Sequence, residues 1–245
     1  MTDQASEVAK EIFQLKYPDA ELIFLAGSIV RGEGTPFSDL DLVVIYKTLP
    51  AAYRESFYFH GFPVEAFVHD PETLNYFFYE VDRPTGIPAL AQMVLEGIEI
   101  PGPTDLSRTL KRLANVLIES GPPAWKDEDL RKSRYEITNL VDDIRQPRSK
   151  AELVGTGTQL YEALATHYLR TQNLWSAKGK SIPKILGQVD QDFCLRYIAA
   201  FDELFANAGM EGVIVLADEV LKPCGGFLFD AHRLEAPASY RKPLA

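Results

Sequence analysis

The stretch Gly27-Ser28-Ile29-Val30-Arg31-Gly32-Glu33-Gly34-Thr35-Pro36-Phe37-Ser38-Asp39-Leu40-Asp41 decides how this chain is read. It follows Glu21-Leu22-Ile23-Phe24-Leu25-Ala26, a short apolar run with the length and composition of a buried strand. Glycines 27, 32 and 34 and Pro36 make residues 27–38 a loop with one helical turn. The strand ends at Gly27 and the turn begins at Ser28. Free backbone N–H groups at such a turn form an anion site, and glycine lets the backbone approach a phosphate closely. Ser28 adds a hydroxyl donor. Arg31, one turn on, can reach the same anion.

The next strand is Asp39-Leu-Asp-Leu-Val-Val-Ile-Tyr46. Strand side chains alternate, so Asp39 and Asp41 leave one face, about 7 Å apart at Cα. Leu40, Leu42 and Val44 take the other face, toward a core. Two carboxylates side by side repel each other, and a divalent cation between them removes the conflict. Few hard oxygen ligands, with phosphate completing the shell, describe Mg²⁺. Residues 54–60 and 63–69, separated by Gly61-Phe62, read as a hairpin. In its second strand Glu65 faces away from Val64, Ala66 and Val68. If that strand lies beside the aspartate strand, Glu65 completes a triad suited to metal-assisted phosphoryl transfer. An Asp-x-Asp at a strand start is by itself an ordinary solvated edge. The glycine–serine turn before it and the third acid after it give it meaning.

Gly-Ser, then about ten residues, then Ser-Asp-Leu-Asp-Leu, then Pro-Val-Glu-Ala-Phe on a later strand resembles the DNA polymerase β-like nucleotidyltransferase superfamily. The layout, a short first domain followed by helices, is similar to the aminoglycoside and lincosamide nucleotidyltransferases. The resemblance implies that Gly27 and Ser28 hold the nucleotide's phosphates, with Ser38 assisting. It implies that Asp39 and Asp41 bind metal. It implies that Glu65 either ligates a second metal or acts as general base. Tyr168-Leu-Arg170 through Trp175, then Lys180-Ser-Ile-Pro-Lys184, is similar to a segment of the streptomycin/spectinomycin adenylyltransferases. That match makes Arg170 and Lys184 candidates for phosphate contact, with Lys180 as competitor. The implied reaction is Mg²⁺-dependent transfer of AMP from ATP to a hydroxyl of a small molecule, an aminoglycoside-like antibiotic among them, with release of pyrophosphate. An antitoxin-type nucleotidyltransferase that binds or AMPylates a partner protein is the alternative. A degenerate nucleotide-binding module is a third reading, disfavoured by the intact acid pair.

Working outward, Asp3 caps a helix running to about Lys16 with Val8, Ile12 and Leu15 at helical spacing. Short helices are expected around 71–79 and 87–97. Pro101-Gly102-Pro103 marks a boundary between a catalytic domain, 1–100, and a helical domain, 104–245. Leu106, Leu110, Leu113 and Leu117 define one helix face there. Ile137, Val141 and Ile144 define a second, and Leu160, Leu164 and Tyr168 a third. Val189, Phe193, Tyr197, Phe201 and Leu204 define a fourth, and a fifth helix covers 211–222. The tail from Pro237 is expected to be mobile. The fold expected is α+β: a mixed, mainly antiparallel sheet with flanking helices, then a helical bundle, with the active site in the cleft between them.

Composition limits the partners. The chain has 245 residues, 46% hydrophobic and 24% charged, with a formal net charge of −10. Nucleic-acid binders draw affinity from basic stripes, so RNA or DNA is disfavoured and a cationic or small neutral acceptor fits better. Cys194 and Cys224 are too few for a disulfide framework and suit a reducing cytosol. The start MTDQASEVAK lacks the pattern of a secretory signal, and no run is apolar enough to span a membrane. Gly179-Lys180-Ser181 resembles the end of a phosphate-binding P-loop, but Leu174 stands where that loop needs glycine. His60, His69, His167 and His232 are too scattered for a zinc site. Tyr161, Tyr168 and Trp175 read as core. Asp142, Asp143 and Glu162 read as a solvated helix face, although acids there would also attract an amine.

Overall fold

The structure, a computed structural model, describes residues 2–242. In chain order the first part comprises α1 (Thr2–Leu15), β1 (Leu22–Ala26), α2 (Gly27–Val30), β2 (Leu40–Ile45), β3 (Tyr53–Phe59) and β4 (Phe62–His69). Next come α3 (Pro71–Tyr76), a π-helical stretch Phe77–Asp82, α4 (Arg83–Thr85), α5 (Ala89–Glu96), β5 (Ile98–Ile100) and α6 (Asp105–Ser120). The helices α7 (Asp127–Arg145), α8 (Lys150–Thr171), α9 (Ile182–Val189), α10 (Gln191–Asn207) and α11 (Glu211–Leu221) follow. This is the α+β architecture expected: a five-stranded mixed sheet flanked by helices, then a helical region. The expectation for the tail falls partly on residues 243–245, which lie outside the described residues.

The sheet order is β3-β4-β2-β1-β5. Only β2 and β4 run parallel; the other pairs are antiparallel. One face carries Ile23, Leu25, Leu40, Leu42, Val44, Val64, Ala66 and Val68, clustered with Ala5, Val8, Ala9 and Ile12 of α1. The opposite face buries Phe24, Val43 and Ile45 and is covered by α3 on β4 and by α5 on β1 and β2. With helices on both faces, β1 is apolar and buried at every position. Leu15 is 70% exposed because α1 ends there; Ala5 and Ala9, rather than Leu15, complete the buried stripe. Asp3 lies inside the first turn of α1, where its charge complements the helix dipole, instead of preceding it as a cap.

The hairpin turns at His60-Gly61, with φ of 49° and 84°, and Phe59 pairs with Phe62. Two left-handed residues suit the twist of a two-residue hairpin loop, which places the turn one residue before Gly61-Phe62. The strand β5 goes beyond the sequence reading. Its three residues are too short to show a periodicity, and it forms by pairing with β1.

The chain divides into two compact units, residues 1–123 and 124–245. The division falls after Pro123, not at Pro101-Gly102-Pro103. The helix α6 packs on α5, buries Leu110, Ala114 and Leu117, and is tied to β5 by Ser107 Oγ donating to Glu99 at 3.1 Å. Thr104 and Ser107 form a reciprocal capping box at its start.

In the second unit, Ile137, Val141, Leu160, Leu164, Phe193, Tyr197, Phe201 and Leu204 belong to one buried cluster shared by α7–α11. Tyr168 stacks on Phe193 at 3.8 Å and its hydroxyl donates to Asp190 at 3.1 Å. Val189 is 40% exposed and does not share the stripe of Phe193 and Tyr197. It ends α9, and Asp190 caps α10 by accepting from Phe193 N at 2.9 Å. Among the described residues no helix is long and apolar enough to cross a membrane.

Candidate active site

The site starts from register. Asp41 lies opposite Ala26 of β1 and opposite Glu65 of β4. Parallel pairing of β2 with β4 therefore puts Asp41 and Glu65 side by side on one face, and Asp39, immediately before β2, brings its carboxylate to the same group. One carboxylate oxygen from each of Asp39, Asp41 and Glu65 lies within 4.8 Å of the other two, and all three residues are half-buried. Three hard oxygen donors converging this closely fit a divalent metal ion, which they could hold.

The glycine–serine turn abuts this triad. Gly27 begins α2 with φ of +79°, and a Cβ built on it would overlap the Asp41 carboxylate. Glycine is thus required at 27 by backbone conformation and by close approach. No side chain caps α2. The Ser28 and Ser38 hydroxyls lie 3.3 Å apart, and Ser38 Oγ accepts from Thr35 N at 2.9 Å, which pins the loop beside the acids.

The other candidates sit differently. Arg31 donates to Glu33 at 2.9 Å and to Glu96 at 3.3 Å. Burial works against its charge, but these two carboxylates hold its pKa above the usual guanidinium value. Arg170 belongs to the second unit and is 5% exposed, with its guanidinium 5.7 Å from the centre of the Trp125 ring. Burial lowers its pKa, and Asp129 opposes the shift. Lys184 is exposed on α9.

Two features escaped the sequence reading. Arg54 of β3 donates to Glu65 and lies over the Phe67 ring, 4.9 Å from its centre. The signal for it was the turn: with His60-Gly61 at the corner, Arg54 pairs with Phe67, diagonal to Glu65. The second feature is a cavity of about 420 Å³ in the helical unit, lined by Trp125, Asp129, Ser133, Glu136, Glu162 and Thr166 among others. Glu162 also accepts from Gly179 N at 3.1 Å, whereas Asp142 pairs at the surface with Arg145.

Beside that cavity, His167 is fully buried; its Nδ1 lies 2.9 Å from Ser133 Oγ and its Nε2 has no hydrogen-bond partner among the described residues. Burial, reinforced by Arg134, pushes its pKa down to about 4. Between pH 6.5 and 4 the unfolded chain takes up a proton that the folded chain refuses at His167. Stability should therefore fall as pH drops through that window. Urea unfolding at stepped pH checks this, with His167→Gln expected to flatten part of the dependence.

Residues 6–79, which contain the turn and all three acids, match the family model described as a nucleotidyltransferase domain. Among solved structures, a nucleotidyltransferase-like protein from Exiguobacterium sibiricum 255-15 is similar at 13% identity and a TM-score of 0.45, over 89% of this chain and 74% of that one. No curated protein matches the chain. The family match supports nucleotidyl transfer as the general chemistry of the sheet unit.

Proposed function

We propose that the protein transfers a nucleotidyl group, AMP, from a nucleoside triphosphate to a hydroxyl of a small molecule and releases pyrophosphate. The observation that carries this reading is the convergence of Asp39, Asp41 and Glu65 within 4.8 Å against a glycine that cannot bear a side chain. In this reading the three carboxylates would hold Mg²⁺, which would supply charge neutralisation for phosphoryl transfer. The Gly27-Ser28 turn and Ser38 hold the triphosphate. Gly27 lets the phosphate and the Asp41 carboxylate share one backbone corner. The acceptor oxygen attacks the α-phosphorus, its bond to the pyrophosphate oxygen breaks, and the acceptor's proton passes to a base. Positioning and electrostatics supply most of such catalysis.

Arg31, Arg170 and Lys184 remain candidates for phosphate contact. For Arg31 this requires exchange of Glu33 and Glu96 for phosphate. We take the acceptor to be hydroxylated and cationic. The formal net charge of −10 supports that choice.

The test is pyrophosphate release by the full chain with each of four nucleoside triphosphates and Mg²⁺, against aminoglycosides, lincosamides and neutral polyols. Release that needs Mg²⁺, ATP and an amine-bearing polyol is the expected result. Nucleotide binding with no release across the whole panel would contradict it.

A further inference from the structure

We propose that Arg54 is a positioning residue that competes with metal for Glu65, so that the acid triad binds metal weakly alone and tightly only when an anionic triphosphate arrives. The inference rests on the reading of the triad as a metal site.

The geometry is specific. Arg54 and Phe67 are paired across β3 and β4, and Ser56 is paired with Glu65, so Arg54, Glu65 and Phe67 share one face of the sheet. Phe67 supports the guanidinium from below at 4.9 Å, a contact that favours a cation over the ring face. From that perch Arg54 donates to Glu65 Oε1, the carboxylate that stands in register with Asp41. Glu65 is the more buried partner, with its side chain 21% exposed against 59% for Arg54. The arginine thus reaches inward from the edge strand to an acid of the triad.

Two consequences follow from the charges. A metal ion held by Glu65 would meet a guanidinium on the same carboxylate, and like charges at such separations weaken binding by an order of magnitude. A triphosphate beside the triad brings negative charge that offsets the guanidinium. Metal and nucleotide then favour each other's binding, and the coupling is reciprocal.

The test is titration of the full chain with Mn²⁺ alone at low ionic strength, with free Mn²⁺ read by electron paramagnetic resonance. The titration is then repeated with an ATP analogue bridged by α,β-methylene. Arg54→Gln is expected to bind Mn²⁺ alone on the order of tenfold more tightly than wild type. Arg54→Lys, which keeps the positive charge, should bind Mn²⁺ alone more weakly than Arg54→Gln. With the analogue present, the difference between wild type and Arg54→Gln should close. Arg54→Met, which keeps the stem over Phe67, should behave as Arg54→Gln does and guards against a folding defect. Equal or weaker Mn²⁺ binding by both neutral variants, with wild type binding normally, would overturn the role of Arg54 alone. No Mn²⁺ binding by wild type, with or without the analogue, would overturn the metal-site reading itself.

Discussion

Asp41→Asn should reduce pyrophosphate release on the order of 10³-fold while leaving the fold intact. Removal of one preorganised electrostatic group from a reacting centre costs about 10²–10³ in rate, and Asp41 sits between the other two acids and the Gly27 turn. Its side chain leaves the sheet on the face opposite Leu40 and Leu42, whose packing against α1 the substitution does not touch. A neutral amide at this position would also relieve repulsion among three carboxylates within 4.8 Å of one another. The metal-free variant should be as stable as wild type or more stable by roughly a few tenths of a kcal/mol. Divalent cation should raise the melting temperature of wild type and do so much less for the variant, because a ligand that binds only the folded state stabilises it. Thermal melts with and without Mg²⁺, alongside the pyrophosphate assay, read both effects. Full activity in Asp41→Asn would remove Asp41 from the mechanism.

Gly27→Ala should be the most damaging single-methyl change in the sheet unit. At φ of +79° an alanine is strained by about 1 kcal/mol or more, and its Cβ would collide with the Asp41 carboxylate. Either Asp41 turns away from Asp39 and Glu65 or the corner between β1 and α2 shifts. Both spoil the triad, and misplacement of this size costs about 10²-fold in turnover. Gly32→Ala is the control. Its φ is +74°, so the backbone strain is similar, but its Cβ would meet nothing within 4 Å. A drop in melting temperature common to both variants reports the strain. Loss of metal-induced stabilisation in Gly27→Ala alone reports the collision with Asp41. Equal metal responses in the two variants would contradict the close approach.

The local chemistry of the site was legible because it rests on short-range rules. Strand alternation puts Asp39 and Asp41 together and turns Glu65 away from Val64, Ala66 and Val68, and the burial pattern of β4 follows that alternation. What periodicity could not supply was neighbourhood. That β2 and β4 pair in parallel, with Asp41 opposite Glu65, depends on β4 lying inside β3 in the sheet, a fact of topology. Arg54 was missed for a related reason. Placing the turn at Gly61-Phe62 shifts the hairpin register by two residues and sets Arg54 opposite His69, away from Glu65. The boundary at Pro101-Gly102-Pro103 misled because a proline-glycine run marks a break in secondary structure, whereas a unit is defined by packing. There α6 returns onto α5. The helical unit's stripes were readable as core, but its cavity was not, since Trp125 just before α7, Asp129 in its first turn and Glu162 of α8 come together only in the packed fold.

Anomalous diffraction from crystals grown with Mn²⁺ and the α,β-methylene ATP analogue tests the central claim most directly. The account predicts a manganese peak coordinated by Asp39, Asp41 and Glu65, with the triphosphate on the Gly27-Ser28 turn. A triphosphate bound elsewhere, or no peak at those carboxylates, would contradict it.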